Sequence, residues 1–399
     1  MSTEDSTSSH LSNLSPDDAS FDDHKTTSAR ISELYRLESD QGFAGFVSGE
    51  RFVSFHTFGT KINECGNWLR FVRLRGGKIK LIDARFCKSP NCPMCQWRRS
   101  LKWRAKFLSL LPTLQDAYPK HRWLFLTFTV KNCQMSELKN TIKHLNESFN
   151  RLSKLADFPL EGFIKSVEIT RVWECWDEQG NYLGCHGTRW IERWEYTAHE
   201  KLTLKPTDLV HPHLHIAGMV KSSYFTHGYV TQARWTEMWK QSLRVDYTPI
   251  VNVKAVKAKK LPPKPQELAD DASNDESGMV KAICEVCKYT VKESDLIGEL
   301  YSNEEDADQV NSDWLKALTE QLYRIRRVEY RGTLKTIGKQ LDEASNSDDL
   351  IGITDEDKEV SEEIEGDVIF LWNKFINRYV MSSRNSEEKK LVTGIDINL

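Results

Sequence analysis

His211-Pro212-His213-Leu214-His215-Ile216-Ala217-Gly218-Met219-Val220 places a histidine at every second position of an apolar run. Side chains of an extended strand alternate between its two faces, so the three imidazoles share one side while Leu214 and Ile216 enter a core on the other. Imidazoles at that spacing suit one divalent ion or one phosphate. Two neutral histidines plus a carboxylate leave coordination positions open for a substrate oxygen and water. The carboxylate expected is Glu168, because Gly162 to Thr170 reads as the strand that pairs with the His strand. Glu174 and Asp177 lie toward the tip of an expected hairpin turn, Asp177–Asn181, and fit less well. His211 precedes Pro212 at the strand's beginning and ranks below His213 and His215 as a ligand.

The chain has 399 residues, 39% of them hydrophobic and 10% aromatic, enough for a sizeable core and more than one domain. No apolar run approaches the roughly 18–20 residues of a membrane span, and the Ser/Thr/Asp-rich N-terminus has no signal-peptide pattern. Nine unevenly clustered cysteines argue against a disulfide framework and for the reduced cytoplasm. The net charge of −3 hides an asymmetry. Between Lys61 and Lys131, 16 Lys or Arg stand against Glu64, Asp83 and Asp116, a candidate surface for a phosphate backbone. Between Asp342 and Asp367, 12 acidic residues stand against Lys358.

Four regions are expected: a disordered polar tail over 1–30, a basic cysteine-rich region over 31–115, an α+β region over 116–340 with a loop at 261–278, and an acidic extension over 341–399 whose apolar stretch 368–381 returns to the core as a terminal helix. Strands are expected at 51–55, 68–74, 123–130 and 162–170. Helices are expected at 96–111 (stopped near Pro112), 135–156, 231–243, 280–293 and 312–331.

In the helix expected at 280–293, Glu285 and Tyr289 lie one turn apart on one face, with Lys292 flanking the same edge. A tyrosine attacks phosphorus only as its phenolate, and its ordinary pKa is near 10. A neighbouring ammonium and a metal-bound phosphate both favour that phenolate. A carboxylate one turn away can take a proton in a second step. Amphipathic helices also carry Glu, Tyr and Lys without any chemistry, so this stretch is weak alone.

Cys87, Cys92 and Cys95, with Cys65 upstream, have the spacing to wrap one tetrahedral Zn²⁺. A competing arrangement joins Cys92 and Cys95 to Cys284 and Cys287. A structural zinc here would position the basic helix that carries Arg98, Arg99, Lys102 and Arg104, whose cations suit phosphates, and Trp97 or Trp103 could stack on bases or lie in a core.

Three segments in order resemble the plasmid rolling-circle replication initiators of the HUH endonuclease superfamily, in the single-tyrosine group with an N-terminal cysteine cluster. Phe125-Leu126-Thr127-Phe128-Thr129-Val130 resembles the first motif of that family, His213-Leu214-His215 its His-hydrophobic-His motif, and Lys288-Tyr289-Thr290-Val291-Lys292 its Tyr-x-x-Lys motif. The segment Phe86 to Ser100 resembles its cysteine segment. The resemblance spans roughly 60–340 and implies a central antiparallel sheet with flanking helices. It also implies that Tyr289 attacks a phosphodiester of single-stranded or extruded origin DNA, keeping a 5′-phosphotyrosyl link and releasing a 3′-hydroxyl primer. His213, His215 and Glu168 would hold Mg²⁺ or Mn²⁺, Glu285 would serve a hydrolytic termination step, and Lys288 and His211 would face DNA. A host helicase and DNA polymerase follow as partners. The alternatives are an HUH transposase or relaxase, a histidine-triad nucleotide hydrolase using 211–217, and a zinc-stabilised DNA-binding regulator without catalysis.

Overall fold

A computed structural model describes residues 10–38, 44–75, 77–256, 286, 290–326, 328–335, 350–351 and 364–382. The chain divides into two compact units: one of 1–36, 56–102 and 348–399, the other of 37–55 and 103–347.

The larger unit holds strands β1 (Gly45–Ser48) and β2 (Arg51–Ser54), which pair with each other. Its main sheet has seven antiparallel strands. In the smaller unit are β3 (Trp68–Leu74) and β4 (Ile79–Ala84), and the sheet of the larger unit begins with β5 (Arg122–Thr129) and β6 (Cys133–Gln134). It continues with β7 (Gly162–Trp176), β8 (Tyr182–Gly187), β9 (Thr203–Val220), β10 (Val251–Ala255) and β11 (Val328–Gly332). The order is β10-β5-β9-β7-β11, with β6 joined to β9 and β8 to β7. The expected α+β architecture is therefore present.

The longest pairing is β7 with β9, in a register that sets Glu168 opposite His213 and Ser166 opposite His215. The back face carries Leu126, Phe128, Val167, Leu214 and Ile216, all buried. The helices Leu138–Leu152 and Gln232–Leu243 cover it. Phe128 lies 5.0 Å from the Trp239 ring and 5.9 Å from Phe149, and Trp239 Nε1 donates to the Thr129 carbonyl at 2.8 Å. The front face is apolar at one end, where Ile164, Ala217 and Met219 pack with Phe107, Leu111, Leu114, Val286 and Leu334. It becomes polar at the other end, where the histidines lie.

Pro212 in the middle of β9 costs no ladder bond. It falls after the last β5 pair (His213 with Thr129) and before the first β6 pair (Val210 with Cys133), where β9 has no neighbour on that side.

The smaller unit packs a second antiparallel sheet, β13-β12-β3-β4, in which β12 is Ile364–Asn373 and β13 is Arg378–Met381. The stretch expected as a terminal helix is thus a hairpin. Its alternating Val368-Ile369-Phe370-Leu371 buries Val368 and Phe370 against β3, and a helix would not keep that alternation. The N-terminal stretch from Leu11 is also ordered, against the expected tail over 1–30. The helix Ser20–Arg36 buries Phe21, Ile31, Leu34 and Tyr35. It buries Lys25 as well, whose ammonium donates at 2.7 Å to the Asn63 carbonyl, the Cys65 carbonyl and Asn67 Oδ1. Burial pushes the Lys25 ammonium down to about 8.

Three other expectations change. The basic helix runs Pro93–Ala117, through Pro112 and across the boundary expected at 115. Proline inside a helix costs about 3 kcal/mol, but Pro112 is on the exposed side, and the buried stripe Phe107, Leu111, Leu114 continues past it. The Asp177–Asn181 turn joins β7 to β8 rather than to the His strand, and a helix, Thr188–Ala198, intervenes before β9. The helix expected at 312–331 is Ala307–Leu322, followed by β11 on the edge of the main sheet. The loop at 261–278 lies outside the described residues. No described helix is long and apolar enough to cross a membrane.

Lys25→Ala leaves one buried and two part-buried acceptors without their donor. Hydrogen bonds from a charged group contribute about 1.5–3 kcal/mol each and a stranded buried acceptor costs a similar amount, so the loss is roughly 3 kcal/mol or more. Denaturant unfolding should show that loss in the transition of the smaller unit; an unchanged midpoint would mean that the helix Ser20–Arg36 is not held by this contact.

Candidate functional site

On the front face of the main sheet, Glu168, His213 and His215 bring one ligand atom each within 4.8 Å of one another. His215 Nε2 lies 2.7 Å from Glu168 Oε2, His213 Nε2 lies 3.5 Å from the same oxygen, and the two Nε2 atoms are 3.1 Å apart. Adjacent ligands of an octahedral ion bound at about 2.0–2.1 Å lie roughly 3 Å apart. The three atoms therefore have the spacing of one octahedral face, which leaves the opposite face open.

The other ring nitrogens support the same assignment. His213 Nδ1 is 3.3 Å from the His211 carbonyl, which only accepts, so this nitrogen donates there and Nε2 is the one turned toward Glu168. His215 Nδ1 is 3.1 Å from the Thr127 hydroxyl, across the β5–β9 pairing that sets Thr127 opposite His215. Phe125 stacks on the His215 ring at 5.4 Å and 19°. Burial would raise the Glu168 carboxyl, but the hydrogen bonds and charges of His213 and His215 outweigh it and hold the group well below the usual carboxylate range. A carboxylate that stays ionised between two imidazoles is the donor set of a divalent cation site.

Thr127 was not among the site residues expected from the sequence. Its signal is a polar residue at an inward position of an otherwise apolar strand, Trp123-Leu124-Phe125-Leu126-Thr127-Phe128. His211, half-buried, turns its Nδ1 to Asn132 Oδ1 at 2.8 Å. Burial, and then the neighbouring His213, lowers His211 to about 4. That shift favours the neutral imidazole.

Tyr289, Glu285 and Lys288 lie outside the described residues, as do Cys284 and Cys287. Residues on both sides are described. Val286 is fully buried in the front-face cluster with Ile164, Ala217 and Met219. Thr290 is buried, and its carbonyl accepts from the Ile169 N–H at 2.7 Å. Ile169 follows Glu168 in β7. Thr290 and Val291 are not helical, and Lys292 has extended backbone as the N-cap of the short helix Glu293–Ile297. The helix expected to run to Glu293 therefore does not carry Lys292. A strand-like docking at Ile169 replaces its last turn.

In the smaller unit, the sulfurs of Cys65, Cys87, Cys92 and Cys95 also lie within 4.8 Å of one another. Cys65 and Cys95 are 3.5 Å apart, Cys87 and Cys95 3.7 Å. Sulfurs around a zinc at about 2.3 Å are separated by roughly 3.8 Å in a tetrahedron. Backbone N–H groups point at the same sulfurs: Cys87 N at Cys65 Sγ (3.3 Å), Lys88 N at Cys95 Sγ (3.2 Å) and Ser89 N at Cys87 Sγ (3.4 Å). Donors of this kind stabilise thiolates, the form in which cysteine binds a metal.

The basic helix is less available to DNA than its sequence implies. Arg98 is buried, donates to the Leu350 and Ile351 carbonyls at 2.8 and 3.0 Å, and lies over the Phe21 and Trp97 rings. Arg99 donates to the Lys88 and Ser89 carbonyls. Trp97 packs edge-on against Phe21 and stacks on His24, which makes it part of a core. Lys102 and Arg104 are half-buried, and Trp103 meets Tyr330 at 5.6 Å.

Residues 78–380 match the Rep_1 family, described as "Replication protein". A "Protein rep" from Streptococcus pneumoniae serotype 2 is 32% identical over 338 residues, covering 81% of this chain and 84% of that protein. A "Protein rep" from Bacillus amyloliquefaciens is 31% identical, covering 80% of this chain and 84% of its own length. One from a Bacillus species is 33% identical, covering 73% of this chain and 84% of its own. No solved structure matches significantly. With the family matched over most of this chain, and with a Glu-His-His group and a four-cysteine group that could each hold a metal ion, this chain belongs to the Rep_1 family of replication proteins.

Proposed function

We propose that this protein initiates replication of a plasmid by nicking single-stranded or extruded origin DNA through Tyr289. The observation that carries the reading is the convergence of Glu168, His213 and His215 on one open position of the sheet, beside a strand to which Thr290 is hydrogen-bonded. Family membership adds the replication context.

In this reading the Tyr289 phenolate oxygen attacks the scissile phosphorus. A P–O bond forms to the tyrosine, the bond from phosphorus to the 3′ oxygen breaks, and that oxygen takes a proton from water to become a 3′-hydroxyl. The hydroxyl primes a polymerase, while the 5′ phosphate stays on the protein. Mn²⁺ or Mg²⁺ on the three ligands would polarise a phosphoryl oxygen; imidazoles favour Mn²⁺ in affinity and cellular abundance favours Mg²⁺. Lys292 and Lys288 supply cations along the same segment, and Glu285 accepts the proton of a second nucleophile at termination. Cys65, Cys87, Cys92 and Cys95 in the smaller unit would hold a structural Zn²⁺ as thiolates and so fix the loop before the basic helix.

Incubating the full chain with a labelled origin-like single strand and Mn²⁺ should give a protease-sensitive covalent adduct that EDTA prevents. Tyr289→Phe should form none; an adduct that persists in that variant assigns the nucleophile elsewhere.

Thr127→Val removes the partner of His215 Nδ1 and leaves the ligands themselves in place. Partners behind a metal-binding histidine are typically worth 10–100-fold in metal affinity. Mn²⁺ titration should therefore show affinity weakened by about that factor, while adduct formation at saturating Mn²⁺ stays close to wild type. Equal Mn²⁺ affinity in the two proteins would remove Thr127 from the site.

Elemental analysis of protein purified without chelator should find one zinc per chain. Cys92→Ser should lose it and lower the unfolding midpoint of the smaller unit. Zinc-free protein of undiminished stability would rule the ion out.

A further inference from the structure

Strand β7 is paired along its outer edge by β11 at residues 162–166 and by β8 from Val172 onward. Residues 167–171 fall in the gap, and Glu168 is among them. The segment after Tyr289 occupies that gap. Thr290 accepts from the Ile169 N–H at 2.7 Å, and two residues along the strand the Asp295 carboxylate accepts from the Arg171 N–H at 3.3 Å. The other Asp295 oxygen takes a short hydrogen bond from the Thr188 hydroxyl. Asp295 is 3% exposed.

Several features make this a fixed clamp rather than a surface contact. Arg171 is 1% exposed, donates to Asn311 Oδ1 at 2.7 Å, and lies between the Trp173 ring (4.1 Å) and the Trp314 ring (4.9 Å). Gly298 ends the short helix that carries Asp295 at a φ of +64°, where a β-carbon would come within 1.9 Å of Asn311 Oδ1. The helix is therefore seated on the same buried asparagine that receives Arg171. Burial pushes the Asp295 carboxyl up to about 6 against the lowering effect of its donors, so the group is held in place at a desolvation cost.

We propose that Asp295 is a positioning residue for strand cleavage: with Thr188 and the Arg171 amide it fixes the segment beginning at Thr290 to the strand that carries Glu168, and so sets where the preceding residue, Tyr289, meets the metal-bound phosphate. The inference rests on Tyr289 being the nucleophile. Asp295 touches neither DNA nor metal; it acts through the backbone. A displacement of about 1 Å between reacting groups costs on the order of 100-fold in rate, which sets the size of the expected effect.

The test compares wild type, Tyr289→Phe, Asp295→Ala, Asp295→Asn and Thr188→Val as full-length chains, with an origin-like single strand in Mn²⁺. Single-turnover adduct formation should fall about 100-fold in Asp295→Ala. Asp295→Asn keeps one acceptor and should recover most of that loss; Thr188→Val should fall between them. Oligonucleotide affinity and the Mn²⁺ concentration for half-maximal rate should change less than about threefold in all, since the fault lies in alignment and not in either binding step. A wild-type rate in Asp295→Ala overturns the proposal. Where Asp295→Ala loses rate together with DNA and Mn²⁺ affinity, which marks a collapsed fold, the milder Thr188→Val decides: a wild-type rate in it overturns the proposal, and a rate lost at unchanged affinities supports it. An adduct in Tyr289→Phe overturns the choice of nucleophile and with it this role for Asp295, and is distinguished from failure of the Asp295 proposal alone, in which Tyr289→Phe is inert and Asp295→Ala is not slowed.

Discussion

The pairing of Glu168 with His213 across two adjacent strands is the constraint on which the site depends. Side chains alternate with a period of two, so a slip of one residue between β7 and β9 would separate the carboxylate from both imidazoles. The slip is resisted mainly by the opposite face. Leu214, Ile216, Val167 and Ile169 are fully or nearly buried there, and burying an aliphatic side chain is worth about 1.5–3 kcal/mol. The core behind the sheet thus fixes the geometry of the ligands in front of it. β5 adds a second restraint by setting Thr127 opposite His215.

Along the front face the environment changes within a few residues. Ile164, Ala217 and Met219 belong to a dry cluster, then Ser166 and His215 form one pair and Glu168 and His213 the next. The ligand set consequently stands against an apolar wall on one side. In such surroundings water competes poorly with a fixed donor, and each charge acts more strongly than it would at an open surface. A cation there would meet preformed ligands whose rings are already oriented by Thr127 and the His211 carbonyl.

Much of this was legible because the decisive signals are local. Histidines two apart define a strand face without knowledge of the fold, and the short cysteine spacings define a loop that can close on an ion. Glu168 needed one further step, the guess that neighbouring strands pair, and the sheet contains that pair. The misread segments depend on distant partners or on polar burial. The helix Ser20–Arg36 looks like a solvated tail because its inner face includes Lys25, Ser28 and Ser32, each satisfied by hydrogen bonds that no hydrophobic pattern reports. Arg98 looks like a DNA contact because the carbonyls that take it, those of Leu350 and Ile351, lie about 250 residues away in sequence. Lys292 was placed on a helix by its spacing from Tyr289, and the competing edge of β7 draws the preceding carbonyl into a strand-like bond instead.

The smaller unit shows what such distance entails. Its sheet is completed only when β12 reaches β3, and the Arg70–Asp367 ion pair spans 297 positions. Closing a loop of that length carries a large entropic cost, although the cost grows only with the logarithm of length. Contacts between sequence neighbours carry little of that cost. Cys87, Cys92 and Cys95 lie within nine residues of one another, and Cys65 reaches them through the β3–β4 hairpin. Lys25 then ties the N-terminal helix to the Cys65 carbonyl, and Asp22 on the same helix accepts from the Tyr379 N–H of β13 at 2.8 Å. The cysteine loop is thus assembled from neighbours in sequence, and the helix Ser20–Arg36 is fastened to it through Lys25. A cation bound by those four sulfurs would stabilise more than its own ligands, because the helix Ser20–Arg36, tied to the Cys65 carbonyl by Lys25 and to β13 by Asp22, is anchored on the loop that it would hold closed.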